Sequence, residues 1–281
     1  MATSKRERQK AARREKLERQ ERYEKRRKNI RRGIIVAIIA VLVVGTGAFL
    51  FSGGKKSPTA TTTTTAVAAG TTTTTTLPSE YHITQAQSNA KAVAYGCPKS
   101  TATRVNTMTW KTAPPLTINK ADKYYATFDT TAGTFVVELD AQTAPITTNN
   151  FVFLAEHNFY KCVIFHRVIS SFMIQSGDPT GTGTGGPGYT IADEYPKAGS
   201  PTYPLYSIAM ANTGAPHTGG SQFFIVTGSE GESLPNSYSL FGKVISGFEA
   251  VNTIQDAGSA SASGVPPGIT YRILNIKINA L

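Results

Sequence analysis

The sequence predicts a mainly β domain, a closed antiparallel barrel with two capping helices, preceded by a single transmembrane helix. Three observations lead there. The C-terminal part is cut into short apolar runs by glycine and proline turns, with two stretches of helical spacing among them. The run GIIVAIIAVLVVGTGAFLF, Gly33 to Phe51, holds nineteen residues without a charge. Between the two lies a threonine-rich stretch with too little apolar content to fold alone.

Of the 281 residues, positions 1–32 carry 15 of the 29 Lys+Arg and 5 of the 18 Asp+Glu. The rest holds 14 positive and 13 negative charges, so the formal net charge of +11 belongs to the tail and not to a basic fold. No nucleic acid partner is therefore expected. The tail's helix-forming mixture suits a solvated cytoplasmic segment lying on anionic headgroups. Residues 33–52 follow as the transmembrane helix, since nineteen helical residues reach about 28 Å, close to the hydrocarbon thickness. The positive flank stays inside, which places the C-terminal part outside the cell membrane. A cleavable signal peptide fits less well because its charged region is far shorter. Clipping at Ala66-Val67-Ala68-Ala69 stays open.

Residues 53–80 read as a threonine-rich tether, a plausible carrier of O-linked sugars. Residues 81–122 are mixed, with Trp110 and a turn at Pro114-Pro115, and read as an extended arm packing on the domain. The domain itself spans 123–281. YYATFDTTAGTFVVELD alternates around a Thr-Ala-Gly turn, a hairpin signal. A helix follows with Thr143 as N-cap, Pro145 in its first turn, and Phe151, Leu154 and Ala155 on one face. Strands are expected at Cys162–Val168, Phe172–Ser176, Leu205–Ala211, Gln222–Thr227, Phe241–Ser246 and Tyr271–Ile278. The spacing of Phe248, Val251 and Ile254 predicts a second helix over Phe248–Asp256.

Cys97 and Cys162 are the sole cysteines. An even count in an exported domain favours a disulfide between them, with two unpaired thiols as the alternative. Without clustered histidines they make no zinc site, and no metal is expected. GTGTGG, Gly181 to Gly186, matches a dinucleotide-binding string, but Pro187-Gly188 stands where a helix would have to begin. Lacking that helix N-terminus, the stretch reads as a flexible surface loop and no cofactor is expected.

The chemistry sits in IFHRVISSFMIQSGD, Ile164 to Asp178, where one arginine interrupts an apolar run. With MANTGAPHTGGSQFFI (210–225) and LFGKV (240–244), the motifs F-H-R, F-M-x-Q-x-G-D, M-A-N, G-S-Q-F-F and F-G-K-V occur in one order. In these motifs the chain resembles the cyclophilins, the peptidyl-prolyl cis–trans isomerases, over about residues 123 to 281. GDPTGTGTGGPGY resembles the bacterial branch. The resemblance implies an eight-stranded antiparallel barrel, with Arg167, Gln175 and Phe172 as catalytic residues. It implies Met173, Ala211, Asn212, Gln222, Phe224, Leu234 and Tyr238 as the residues that bind substrate. It makes His166 a buried structural neighbour of the arginine.

The physics fits such an arginine. A peptide bond resists rotation by about 18–20 kcal/mol because its nitrogen shares a lone pair with the carbonyl. Midway through the turn that lone pair becomes an acceptor, and a guanidinium beside it stabilises the twisted state over the planar one. Two positions depart from many eukaryotic members: Ser233 stands in place of a tryptophan and Tyr238 in place of a histidine. The missing indole weighs against tight cyclosporin binding, not against turnover. The segment after Asn212 is one residue longer than the commonest form, which loosens the match between Thr213 and Gly220. The expectation is a monomeric, membrane-anchored isomerase acting on X–Pro bonds in exported proteins. The alternative is a tethered chaperone that grips proline segments with little turnover.

Overall fold

The computed structural model describes residues 83–197, 202–259, 261 and 263–281. The expected basic tail, transmembrane helix and threonine-rich tether lie outside these residues. No helix among the described residues is long and apolar enough to cross a membrane.

Helix α1 (Gln85–Ala94) comes first, followed by strands β1 (Tyr124–Thr130) and β2 (Gly133–Leu139) and helix α2 (Pro145–Glu156). Strands β3 (Arg167–Ile169), β4 (Met173–Ser176), β5 (Ser207–Met210) and β6 (Phe223–Val226) carry the motifs. The one-turn helix α3 (Ser229–Glu232), β7 (Leu240–Ser246), α4 (Phe248–Asp256) and β8 (Ile273–Ala280) complete the chain. The eight strands form one antiparallel sheet in the order β3-β4-β6-β5-β7-β2-β1-β8. Four helical elements stand among the described residues where sequence spacing gave two.

The expected closed barrel needs a qualification. Its ends meet over a short ladder only, where Ile164 bridges Arg272 and the N–H groups of Cys162 and Phe165 donate to Ile273 and Tyr271 carbonyls. The predicted strand Cys162–Val168 is accordingly reduced to Arg167–Ile169. Cys162 has a positive φ of 66°, which breaks the extended run at its start.

Strand register separates two rows of side chains, because residues directly opposite in a ladder share a face. Val168 faces Ile174, Ile174 faces Ile225, and Ile225 faces Ile208; all four are buried inside the barrel. There they join Phe128, Phe135, Phe151, Phe223 and Phe241, with the Phe128 and Phe135 rings stacked at 4.6 Å. The odd-numbered neighbours of β3 and β4 point the other way. That second row builds the site.

Helix α2 is not capped by Thr143. Its N-cap is Ala144, which makes no side-chain cap, and Thr143 instead donates its hydroxyl to Asp140. The Glu194 carboxylate, 48 residues away, accepts from the N–H groups of Ile146 and Thr147 at 2.9 and 2.8 Å. A negative group there satisfies free donors and the helix dipole together.

The arm is not simply extended. Thr84 and Gln87 form a reciprocal capping box that starts α1. A disulfide joins Cys97 to Cys162, with Cα atoms 5.4 Å apart. Further along, the Trp110 ring packs edge-on against Phe153 of α2 at 5.2 Å, and its backbone N–H donates to the Pro187 carbonyl. Arg272, 1% exposed, gives its guanidinium to the carbonyls of Pro98 and Lys99. The arm is thus stitched to the barrel along its length.

Candidate active site

The outer row runs across four strands. Arg167 is opposite Gln175, Gln175 opposite Phe224, and Phe224 opposite Ala209. Met173 lies two residues from Gln175 and shares its face. Register alone therefore places a cation, an amide and an apolar floor side by side. Arg167 is partly buried, and its Nε donates to the Ser263 carbonyl at 2.9 Å. Its Nη1 donates to Gln175 Oε1 at 3.2 Å and lies 4.0 Å from the Met173 sulfur. None of these described partners is a carboxylate. Burial lowers the guanidinium pKa from its ordinary value, while the nearby Tyr238 acts the other way; the group stays a cation with its charge unneutralised.

Beside the guanidinium lies an apolar cluster separate from the barrel core. Met173, Tyr203, Ala209, Phe224 and Val226 are its buried members. Phe172, Ala211, Leu234 and Tyr238 are partly buried around them. The Tyr238 ring stands edge-on to Phe224, with centroids 5.2 Å apart and planes at 86°. Tyr203 holds that wall in place: its hydroxyl donates to the Tyr238 carbonyl and accepts from the N–H groups of Ser237 and Tyr238. Ser233, exposed at the end of α3, returns its hydroxyl to the Ser229 carbonyl.

The amides continue from Gln175. Its Nε2 donates to Gln222 Oε1 at 3.0 Å, and Gln222 Nε2 donates to the carbonyls of Gly183 and Gly185, both at 3.0 Å. The glycine-rich stretch is not a loose surface loop. It folds around Asp178, 1% exposed, whose carboxylate accepts from the N–H groups of Thr180, Thr182, Gly183 and Gly185 and from the Thr180 hydroxyl. A Cβ at Gly185 would stand 2.0 Å from the Asp178 oxygen, so no larger residue fits there. Burial raises the Asp178 pKa, but the Thr180 hydroxyl and these N–H groups outweigh it and hold the carboxyl below its usual value.

His166 packs beneath Gly183, 4% exposed, with neither ring nitrogen partnered among the described residues. Burial lowers its pKa, Asp178 opposes the shift, and Arg167 adds to it. The ring is neutral packing under the loop.

Ala211 donates its N–H to the Gln222 carbonyl at 2.8 Å, extending the β5–β6 pairing. The Asn212 side chain is occupied: it donates to the Ser237 carbonyl and accepts from the Gly214 N–H. Its backbone has no hydrogen-bond partner among the described residues. Alongside, Gln175, Gln222, Ala211 and the glycine loop border a cleft of about 730 Å³ that also touches Arg104 and Thr109 of the arm. Among the described residues no cluster of histidine, cysteine or acidic side chains could hold a metal ion.

The family model for cyclophilin type peptidyl-prolyl cis-trans isomerase matches residues 125–278. The chain belongs to the cyclophilin-type peptidyl-prolyl cis–trans isomerases. It is 45% identical over 157 residues to peptidyl-prolyl cis-trans isomerase B of Streptomyces anulatus, covering 50% of this chain and 86% of that one. It is 44% identical over 135 residues to peptidyl-prolyl cis-trans isomerase A of Mycobacterium tuberculosis, covering 43% of this chain and 72% of the relative. A crystal structure of a Cryptosporidium parvum cyclophilin-type isomerase in the presence of the dipeptide Ala-Pro is 36% identical, with a TM-score of 0.50. That likeness covers 55% of this chain and 98% of the other.

In this cyclophilin domain the residues expected from the motifs converge, apart from the Asn212 side chain, which is turned to the loop. Sequence reasoning missed Tyr203 and Asp178. Asp178 carried a readable signal, an aspartate followed at short range by turn-forming glycines and threonines that offer backbone donors. Tyr203 carried none, since its partners lie 34 and 35 residues away.

Proposed function

We propose that the domain accelerates rotation about X–Pro bonds in exported proteins by arginine stabilisation of the twisted amide. The supporting observation is a guanidinium without a carboxylate partner among the described residues, held beside an apolar cluster. The proline ring rests on Phe224, Met173 and Phe172, with Leu234 and Tyr238 at the rim. Fixing the ring leaves the preceding carbonyl to turn. As the nitrogen becomes pyramidal its lone pair accepts from Arg167, and this interaction is absent in the planar ground state. Partial burial strengthens the charge. Gln175 sets the guanidinium's direction, and the backbone of Ala211 and Asn212 offers the substrate chain an edge to pair with. No nucleophile or proton transfer is required.

The peptide assay is direct. The full-length chain should speed isomerisation of an X–Pro tetrapeptide, followed by NMR exchange or by an isomer-specific protease. A wild-type rate no faster than the spontaneous one rules out the enzyme reading for this chain. Binding of proline peptides without acceleration would leave the tethered chaperone in its place.

We further propose a bacterial, single-pass anchor through residues 33–52, with the N-terminus cytoplasmic and the domain outside. The uncharged run behind a basic tail supports it. Protease added to intact cells should then cleave the C-terminal domain; protection until lysis would reverse the orientation.

A further inference from the structure

The cleft next to the apolar cluster is built by two parts of the chain. Barrel loops supply most of it, and the arm supplies Arg104 and Thr109. Among the described residues that line it, Arg104 alone has a formal charge. An exposed arginine by itself means little. This one stands in a neutral concave surface, on a backbone pinned at the two residues that follow it.

The pinning is specific. Val105 donates its N–H to the Pro179 carbonyl, and Asn106 Nδ2 donates to the Phe159 carbonyl. Arg104 Nε donates to the Asn106 carbonyl at 2.6 Å, while its two Nη groups have no partner among the described residues. The arginine is thus half anchored, with its outer donors free. Asp178 lies under the same loop, but its carboxylate is buried and turned to the loop's own N–H groups. Ala211 lines this cleft and packs on the apolar cluster, and Gln175 lines the cleft while holding Arg167. A peptide whose proline rests on that cluster can extend into the cleft past Gln175 and Ala211. In an extended segment, side chains two residues apart share a face at about 6.5–7 Å.

We propose that Arg104 makes the arm a specificity element, selecting X–Pro segments that carry a carboxylate side chain near the proline and seating that carboxylate in the cleft. This rests on the apolar cluster being the proline site. Glu at the right register offers two oxygens to the free edge of a guanidinium, a geometry that Gln cannot match in charge.

The test uses the full-length chain and peptides of one sequence, with Glu or Gln scanned over the residues flanking the proline. The readout is the ratio of kcat/KM for Glu over Gln within each variant, so changes in overall turnover cancel. At roughly 0.01 M salt, where screening reaches about 30 Å, the wild type should favour Glu about two- to five-fold at one register. The preference should vanish near 1 M salt. Arg104→Ala should bring the ratio to unity, and Arg104→Glu should favour a Lys peptide instead. A wild-type ratio of unity at every register, or one that survives either 1 M salt or Arg104→Ala, overturns the proposal. Arg104→Gln, which keeps the side chain's length and polarity, serves as the second variant if Arg104→Ala folds poorly, and should also bring the ratio to unity. Absence of acceleration on every peptide, Glu and Gln alike, would instead sink the isomerase reading, so the two failures are distinguishable.

Discussion

Arg167 and Gln175 stand opposite each other in the β3–β4 ladder, and the arginine Nη1 donates to the glutamine Oε1 at 3.2 Å. The pairing fixes one edge of the guanidinium, and the Ser263 carbonyl fixes Nε. Gly264 lets that loop approach, with a φ of +79° and a Cβ position only 2.5 Å from Ile169 Cγ1. A cation held from two sides by neutral groups keeps its charge for a third party.

Replacing that cation should cost rate and not fold. Arg167→Ala is expected to lower kcat/KM by about 10²–10³, the scale of one lost transition-state donor. Arg167→Lys should recover only part, because an ammonium cannot hold the Ser263 and Gln175 contacts while reaching the substrate. Unchanged turnover in both variants would remove arginine from the mechanism.

Gln175 and Gln222 should behave as one unit. Gln175→Ala frees the guanidinium, and Gln222→Ala frees Gln175 and the carbonyls of Gly183 and Gly185. In a double-mutant cycle on kcat/KM the combined loss should fall short of the sum of the single losses by about 0.5–3 kcal/mol. Strict additivity would show that the relay does not act through Arg167.

Stability should fall on mild acidification because of His166. Its folded-state pKa is lowered from 6.5, mainly by burial. The unfolded chain therefore takes up a proton that the native site resists. The contribution is complete above about pH 6.5 and is lost as pH falls toward the folded value. Asp178, held below its ordinary 3.8, acts in the opposite range of charge: its contribution is present above about that pH and lost below it. Urea midpoints between pH 7.5 and 5 thus isolate the histidine. His166→Gln should flatten the slope, which for one proton is at most about 1.4 kcal/mol per pH unit.

Reducing Cys97–Cys162 should destabilise the chain by about 2–4 kcal/mol, given the 65-residue separation it spans. The effect should concentrate in the arm, since α1 then depends on the Ser88 and Lys91 contacts to Thr131 and Thr130. Hydrogen exchange under reducing conditions should show α1 losing protection before β1 and β8. Uniform loss over all strands would mean that arm and barrel unfold as one.

Much of the barrel was readable because its signals are local. Alternation around the Thr-Ala-Gly turn marked β1 and β2, and the spacing of Phe248, Val251 and Ile254 gave α4 its limits at Phe248 and Asp256. The capping box at Thr84 and Gln87 was equally local and was overlooked, which left α1 inside an arm read as extended. Thr143 had the right residue type for a cap, but Glu194 supplies the acceptor from far along the chain, beyond the reach of pattern reading.

By itself the sequence determined the residue types, their order and the alternation that sends Val168 inward and Arg167 outward. Period-two geometry is a property of each strand and needs no neighbour to express it. Only the tertiary structure decided what the outward row meets. Ladder register set Arg167 against Gln175, Tyr203 locked the Tyr238 wall, and Asp178 drew the glycines into a fixed loop. The arm brought Arg104 to a cleft made by other loops. These contacts join residues dozens of positions apart, and their energies exist only once the barrel has removed the groups from water and left each needing a partner.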